Sequence, residues 1–347
     1  MSYNIATLEV YDEAMGSVAN NFFLQSFAKE TFIPATKVKT DIIRNGEPLA
    51  VDVVRGGDDD NFNSVERYTT KEYMPPLYNE KTRITADQLL QITPGMNVYD
   101  PISKDRNLMY LATKSQIYNT FKIRRSVEKQ FAEMLQEGTI TVTNGESLDF
   151  KRKSTHKVTP GTKWDDSSGT PIDNIQAISD VIRQDGKRPV KTLIFGSAAW
   201  ASFISNPQVT AYFDKYHIAP GKLEPVRVFD STTWWGRVWF GDVQVDLYIY
   251  NNFYTNSSGV TTPYVDTDNV ILIGEDARID LVYGLTEVHA KTAEEYRRMG
   301  LPSMPENKIM PYLYYKDSGD PIVGVQAAPL AIPTAIDCMG VLYGVNT

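Results

Sequence analysis

Three histidines (His156, His217, His289), one cysteine (Cys338) and 43 acidic side chains are the residues from which this chain could build a reaction centre. A hydrolytic triad needs a nucleophile held beside a base. No histidine stands near a recognisable one, and neither a G-x-S-x-G elbow nor an H-E-x-x-H pair occurs. Gly196-Ser197 comes nearest, and there Ser197 reads as the cap of a helix. One cysteine excludes an internal disulfide, and with three scattered histidines it supplies no zinc set. No phosphate loop or dinucleotide fingerprint is present, and Gly56-Gly57 precedes acids that would repel phosphate. Asp58-Asp59-Asp60 has the oxygen ligands for a divalent cation, but reads more simply as a solvated acidic tip. Trp234-Trp235 would suit a sugar platform, and packing is the simpler reading. A carboxylate-dependent hydrolase remains a competing class, although nothing selects two acids from the 43. The expectation is therefore no enzyme, no catalytic residue, no cofactor and no metal.

Composition narrows the rest. The chain has 347 residues, a net charge of −8 and 42% hydrophobic residues, enough for a sizeable core and about two domains. No apolar run approaches the ~20 residues that span a bilayer, and Met1–Val10 is not a signal peptide. A soluble, intracellular chain without a membrane partner is expected. Proteins that read nucleic acid carry a basic face. The acidic balance suits a container wall beside DNA better than a sequence-specific reader.

These features must sit on the following elements. Met1 to about Pro34 is an amphipathic leader, with Phe22, Phe23, Leu24 and Phe27 at helical spacing. Its apolar side requires either the body of its own chain or a neighbour. From Thr36 to about Arg83 alternation around Arg55-Gly-Gly-Asp-Asp-Asp-Asn61 predicts a long two-stranded excursion with an acidic tip. Pro101 and Ser103 open a helical stretch that Gly138 stops. Thr139–Thr143 runs into Asn144-Gly145, a hairpin cue with Lys151–Lys157 as the expected return strand. A domain boundary is placed at Thr159–Gly169. Beyond it the predicted elements are a helix from Pro171 to Gly186, a strand at Val190–Phe195, a helix at Ser197–Ile204, and two strands across Trp234–Tyr250. Asn251–Thr262 reads as loop, and Val270–Ile273 and Ile279–Val282 as strands. Pro329 and Pro333 restrict the apolar run Pro321–Val345 to edge or irregular strands.

A leader, a long hairpin and a long helix leave strand edges and apolar faces without cover, and such surfaces drive association. Head-to-tail contacts between copies close into rings or shells when the rotation permits. The candidate inter-subunit contact residues are Phe22, Phe23 and Phe27 of the leader, and Arg55, Gly56, Gly57, Asp58, Asp59, Asp60, Arg67 and Lys71 of the excursion.

Several stretches occur in a telling order. They are Pro160-Gly161-Thr162-Lys163-Trp164, Leu193-Ile194-Phe195 with Ala199-Trp200-Ala201-Ser202-Phe203, and Trp239-Phe240-Gly241-Asp242-Val243. Asp268-Asn269-Val270-Ile271-Leu272-Ile273-Gly274 with Ala277-Arg278 follows, then Gln326-Ala327-Ala328-Pro329-Leu330. In order and spacing the chain resembles, from about residue 36 to its end, the major capsid protein E family of lambda-like tailed phages. The resemblance implies an α+β, Hong Kong 97-like capsid fold. Its parts would be an N-terminal arm (1–35), an extended β-hairpin loop (36–85), a peripheral domain (86–164 and 326–347) with a spine helix at about 103–137, and an axial domain (165–325).

The implied function is self-assembly into the pentamers and hexamers of an icosahedral head that encloses double-stranded DNA. The protein would reside in the virion, and in the host cytoplasm during assembly. Implied partners are further copies of the chain, a portal protein and a decoration protein. Only about 35 residues precede the extended loop, so a separate scaffolding protein is expected. Some relatives cross-link the loop through lysine and asparagine; Lys71 or Lys81 would fit by type. With no matched asparagine or catalytic glutamate, no cross-link is expected here. An encapsulin-type compartment shell is the alternative within the same fold.

Overall fold

The computed structural model describes residues 21–43, 68–85, 87–88, 104–142, 147–215, 225–229, 231–256, 258–275, 277, 279–298, 308–316 and 319–347. The chain first forms α1 (Phe22–Phe27), β1 (Ala28–Phe32), β2 (Val38–Ile43), β3 (Tyr68–Tyr73) and β4 (Tyr78–Arg83). Next comes α2 (Lys104–Glu137), followed by β5 (Thr139–Thr141), β6 (Ser147–Asp149) and β7 (Lys157–Val158). An α/β stretch continues with α3 (Pro171–Gly186), β8 (Val190–Phe195), α4 (Ser197–Ser205), α5 (Pro207–Lys215), β9 (Val226–Phe229), β10 (Thr232–Phe240) and β11 (Val243–Tyr250). Then follow β12 (Phe253–Thr255), β13 (Thr261–Pro263), β14 (Val270–Gly274), β15 (Ile279–Tyr283) and α6 (Glu287–Arg298). The last strands are β16 (Met310–Tyr315), β17 (Pro321–Ala327), β18 (Pro329–Pro333) and β19 (Met339–Leu342).

Two compact units divide these elements. The first takes the described parts of Met1–Val38, Met74–Gln130 and Asp280–Ala331; the second takes those of Lys39–Tyr73, Phe131–Ile279 and Ile332–Thr347. In the first unit, β17 runs antiparallel between β16 and β4, with Gly324 opposite both Tyr312 and Lys81. Ile84, Ala112 and Val323 form a small core with Leu108, Leu111 and Leu313. A second sheet has the order β1-β15-β18. Tyr78–Arg83, read in sequence as part of the excursion, is thus a strand of the first sheet.

The second unit is built on a seven-stranded sheet in the order β7-β19-β14-β8-β11-β10-β9. Central β14 is buried along its whole length, as its Val-Ile-Leu-Ile run requires. Ile172, Ile175, Ile178 and Ile182 recur every three or four residues and place one face of α3 in the same core as Leu193, Phe195, Phe203 and Leu247. That helix starts at Pro171 and ends at Gly186, as expected.

Four expectations need correction. The strand that returns to β5 is Ser147–Asp149, in the register Ile140↔Leu148. The stretch Lys151–Lys157 instead begins with Lys151 in a left-handed conformation (φ 58°) and makes a short 3-10 turn at Ser154–His156. Asn251–Thr262 contains the paired strands β12 and β13. Ser197 does not cap α4: Gly196 holds the cap position, its C=O accepting the Trp200 N–H (3.0 Å) while its own N–H bonds to Asn269 O (2.9 Å). In the C-terminal run only β18 is an edge strand, whereas β17 and β19 lie inside their sheets. The Asn144-Gly145 cue and the Pro101 and Ser103 start lie outside the described residues.

The expected long helix is continuous. Neither proline nor glycine interrupts the 34 residues of α2, which span about 50 Å at 1.5 Å per residue. None of the described helices is long and apolar enough to cross a membrane. Gly138 ends α2 with φ +73°, and its N–H bonds to Met134 O at 2.9 Å. The Arg152 guanidinium then donates to Leu135 O (2.6 Å) and Gln136 O, two of the carbonyls that a helix end leaves open. Burial pulls the Arg152 pKa down to about 10, against the opposing charge of Glu137. Arg152→Ala is expected to destabilise the protein by about 2 kcal/mol, since hydrogen bonds from a charged donor are lost at a helix C-terminus. Urea unfolding measures it.

Candidate functional site

The leader is the first surface to examine. Glu128, fully buried on α2, accepts the N–H groups of Phe23 (2.9 Å) and Leu24 (3.1 Å). A carboxylate there satisfies amides that the first turn of α1 leaves open and suits the positive end of the helix. Phe22 and Phe23 are buried, with centroids 5.5 Å apart, and Phe27 meets Phe22 edge-on at 5.7 Å. Lys308 pairs with Glu30 beyond the helix. Phe22 and Phe23 are thus buried within the single chain, and Phe27 retains partial exposure.

The excursion is the second surface. Its described base, β2 and β3, forms a sheet of two strands, with no third among the described residues. An exposed Lys39–Glu72 pair at 3.3 Å links the two strands. Lys71 lies in β3, whereas Arg55, Gly56, Gly57, Asp58, Asp59, Asp60 and Arg67 fall outside the described residues. Isolated two-stranded ribbons are marginal in water.

A third surface gave no signal in sequence. In the first unit a cleft of about 420 Å³ opens among β4, β16, β17 and α6. Tyr312 and Tyr314 stack at its side with centroids 6.1 Å apart. A Cβ on Gly324 would come within 2.2 Å of Tyr312 Cζ, so only glycine lets that ring lie across β17.

The residues screened for chemistry have structural partners. His156 bridges Met339 O (3.0 Å) and Asp185 Oδ2 (2.9 Å), and His289 Nδ1 accepts the Thr286 N–H (3.2 Å) at the start of α6. His217 lies outside the described residues. Burial, reinforced by Asp337, pushes the Cys338 thiol up. Trp235 packs on Trp200 at 5.0 Å while Trp234 donates to Asp246, so the pair shares no platform. Among the described residues no three ligating side chains gather around a metal position.

Open sheet edges and, among the described residues, a β2–β3 ribbon of two strands offer backbone groups to a further strand, as several kinds of protein do. The comparisons say which kind. A protein assigned as the capsid protein of an E. coli CFT073 prophage matches with a TM-score of 0.67 at 17% identity, covering 98% of each chain. A phage-related protein from Bordetella bronchiseptica RB50 matches at 0.55 and 10% identity, over 97% of this chain and 96% of that one. Among curated proteins none matches. The fold is the Hong Kong 97-like capsid fold, of mixed helix and sheet. The model of the family described as phage major capsid protein E matches residues 10–339, and the chain belongs to that family. It is a major capsid protein, a structural subunit of a phage's icosahedral shell, and its place is the virion.

Two tests follow. Glu128→Ala leaves the amides of Phe23 and Leu24 without their acceptor, and should cost about 2 kcal/mol and accelerate proteolysis within residues 21–32. Asp185 is held below its ordinary value of 3.8, by Lys153 first and His156 next, against desolvation. A depressed carboxylate contributes stability that is complete above about pH 4 and lost as pH falls through its folded value. The urea midpoint of Asp185→Asn should therefore lie below wild type at pH 6, and the gap should close as the pH drops below 3.8.

Proposed function

We propose that the subunit acts as building material alone. Rings of five and six copies close into the head, double-stranded DNA is enclosed without base-specific contact, and no reaction is catalysed. The observation that carries this reading is the family match across residues 10–339, on a chain whose β2–β3 ribbon has no third strand among the described residues. Assembly then rests on many modest contacts: apolar burial at ~25 cal/mol per Å², strand addition along open edges and rim charge pairs worth under ~1 kcal/mol each. Contacts this weak let a misplaced subunit leave, while their number holds a finished shell.

Arm (1–35), extended loop (36–85), peripheral domain (86–164 and 326–347) and axial domain (165–325) name positions in a shell, whereas the two compact units describe one subunit. We assign the shell positions on the family resemblance, which also supplies the portal, the separate scaffolding protein, the decoration protein and assembly in the host cytoplasm. The net charge of −8 fits a wall that does not trap DNA during filling.

Replacing residues 46–65 by a short Gly-Ser linker should give a subunit of unchanged melting temperature that forms no shells. Sedimentation and negative-stain microscopy read the result. Normal shells from that variant would remove the excursion from the assembly contacts.

A further inference from the structure

The second unit holds a buried ring whose hydrogen bonds do not balance for a neutral side chain. His156 is 0% exposed. Its Nδ1 lies 3.0 Å from Met339 O, at the start of β19, and its Nε2 lies 2.9 Å from Asp185 Oδ2, near the end of α3. A backbone carbonyl can only accept. The same holds for Asp185: Lys153 donates to its Oδ1 at 2.5 Å and, against desolvation, holds that carboxyl below its ordinary value of 3.8. At physiological pH it is an ionised acceptor.

A neutral imidazole carries one N–H and one lone pair, so one of the two contacts would set lone pair against lone pair. Only the imidazolium, with a proton on each nitrogen, satisfies both. His289 is the opposite case on the same chain, since its Nδ1 accepts the Thr286 N–H at 3.2 Å and must be bare.

The ring also sits where three chain segments converge. Gly340 lets β19 close on the turn that carries His156: a Cβ there would meet Ile182 Cδ1 at 2.9 Å, Ile178 Cδ1 at 3.1 Å and His156 O at 3.3 Å. Asp185 faces the ring from α3, and Lys153, ahead of the turn, shares that carboxylate. On the β19 side, next to Met339, Cys338 turns its thiol to Gly186 O (3.5 Å); burial and Asp337 push that thiol up, against Arg188, and it stays uncharged. Lys157, the first residue of β7, pairs with Glu137 at 2.6 Å. Strand β7 directly follows the turn and lies at the edge of the large sheet, paired with β19 alone among the described strands. The Tyr343 N–H bonds Val158 O there at 2.8 Å.

We infer that His156 is a proton-operated latch: as an imidazolium it ties the turn before β7 to the end of α3 and to the start of β19, and loss of one proton to solvent releases β7 from β19. Whichever nitrogen gives up its proton, one acceptor then faces a lone pair in a buried site, where an unmet polar contact is costly. The direction is fixed by the chemistry. The latch is closed on the acid side and opens as the pH rises.

Magic-angle-spinning NMR of the full-length chain, ¹⁵N-labelled at histidine, reads each ring nitrogen, and His156→Gln locates the His156 signals. At about pH 5 both His156 nitrogens should carry protons. As the pH is raised to about 8, across the range in which histidines change charge, one proton should be lost. The hydrogen-exchange protection factor of the Tyr343 amide should fall at least tenfold with the same midpoint, while the amides between β8 and β14 stay protected. In Asp185→Asn that midpoint should move to lower pH, because the carboxylate that holds the second proton is gone. In His156→Gln the Tyr343 protection should no longer follow pH. A His156 ring with one bare nitrogen throughout, a ring that keeps both protons throughout, or Tyr343 protection that ignores the titration overturns the latch.

Discussion

A long helix that buries polar side chains must have each of them answered by the chain around it, and in α2 this requirement organises much of the subunit. Gln130 uses its whole amide: Nε2 donates to Tyr78 OH and Pro329 O, and Oε1 accepts the Ala331 N–H. Asn119 accepts from Thr82 on β4. Glu128 holds the leader, and Gln136 bonds Tyr264 O, Asp266 N and Asn269 Nδ2. An unmet buried polar group costs about 1–3 kcal/mol, more than a typical hydrogen bond contributes. The penalty therefore falls on wrong registers. A strand or loop slipped by one residue along α2 leaves an amide or carboxylate with nothing to bond. Gln116, fully buried, and the Arg124 Nε are exceptions, with no partner among the described residues.

That arrangement explains which parts of the molecule sequence could show. The ends of α2 and α3 were legible because local chemistry marks them: Gly138 supplies a positive φ, Pro171 a start, and Gly186 is the last helical residue before Lys187 turns left-handed (φ 57°). The β10–β11 hairpin around Gly241-Asp242 was legible for the same reason. Positions decided by distant partners were not. Pro321 opens β17, and Pro329 and Pro333 bound β18, so each sits where its missing N–H does little harm, and β17 can still lie inside its sheet. Strand β19 enters the large sheet between β14 and β7, a pairing that no local pattern announces. The cleft is the extreme case: Lys81, Lys291, Tyr312 and Gln326 meet only because β17 pairs with β4 and β16 and α6 packs nearby. The clasps were invisible for a related reason, since Gln and Asn inside an amphipathic pattern read as solvent-facing until the opposing backbone is known.

Burial of Phe22 and Phe23 within their own subunit also bears on how a shell can be built reversibly. Apolar surface left on a free leader would associate early and without direction, because hydrophobic burial is strong and non-directional. With those rings docked, and with Glu128 fixing where they dock, that apolar surface is spent on folding. Folding relies on apolar cores and neutral or buried hydrogen bonds, which salt hardly touches. The exposed charges, such as Lys39–Glu72 on the ribbon, are screened over a Debye length of about 8 Å at physiological ionic strength. The fold therefore depends little on ionic strength, whereas the exposed pairs weaken as salt rises.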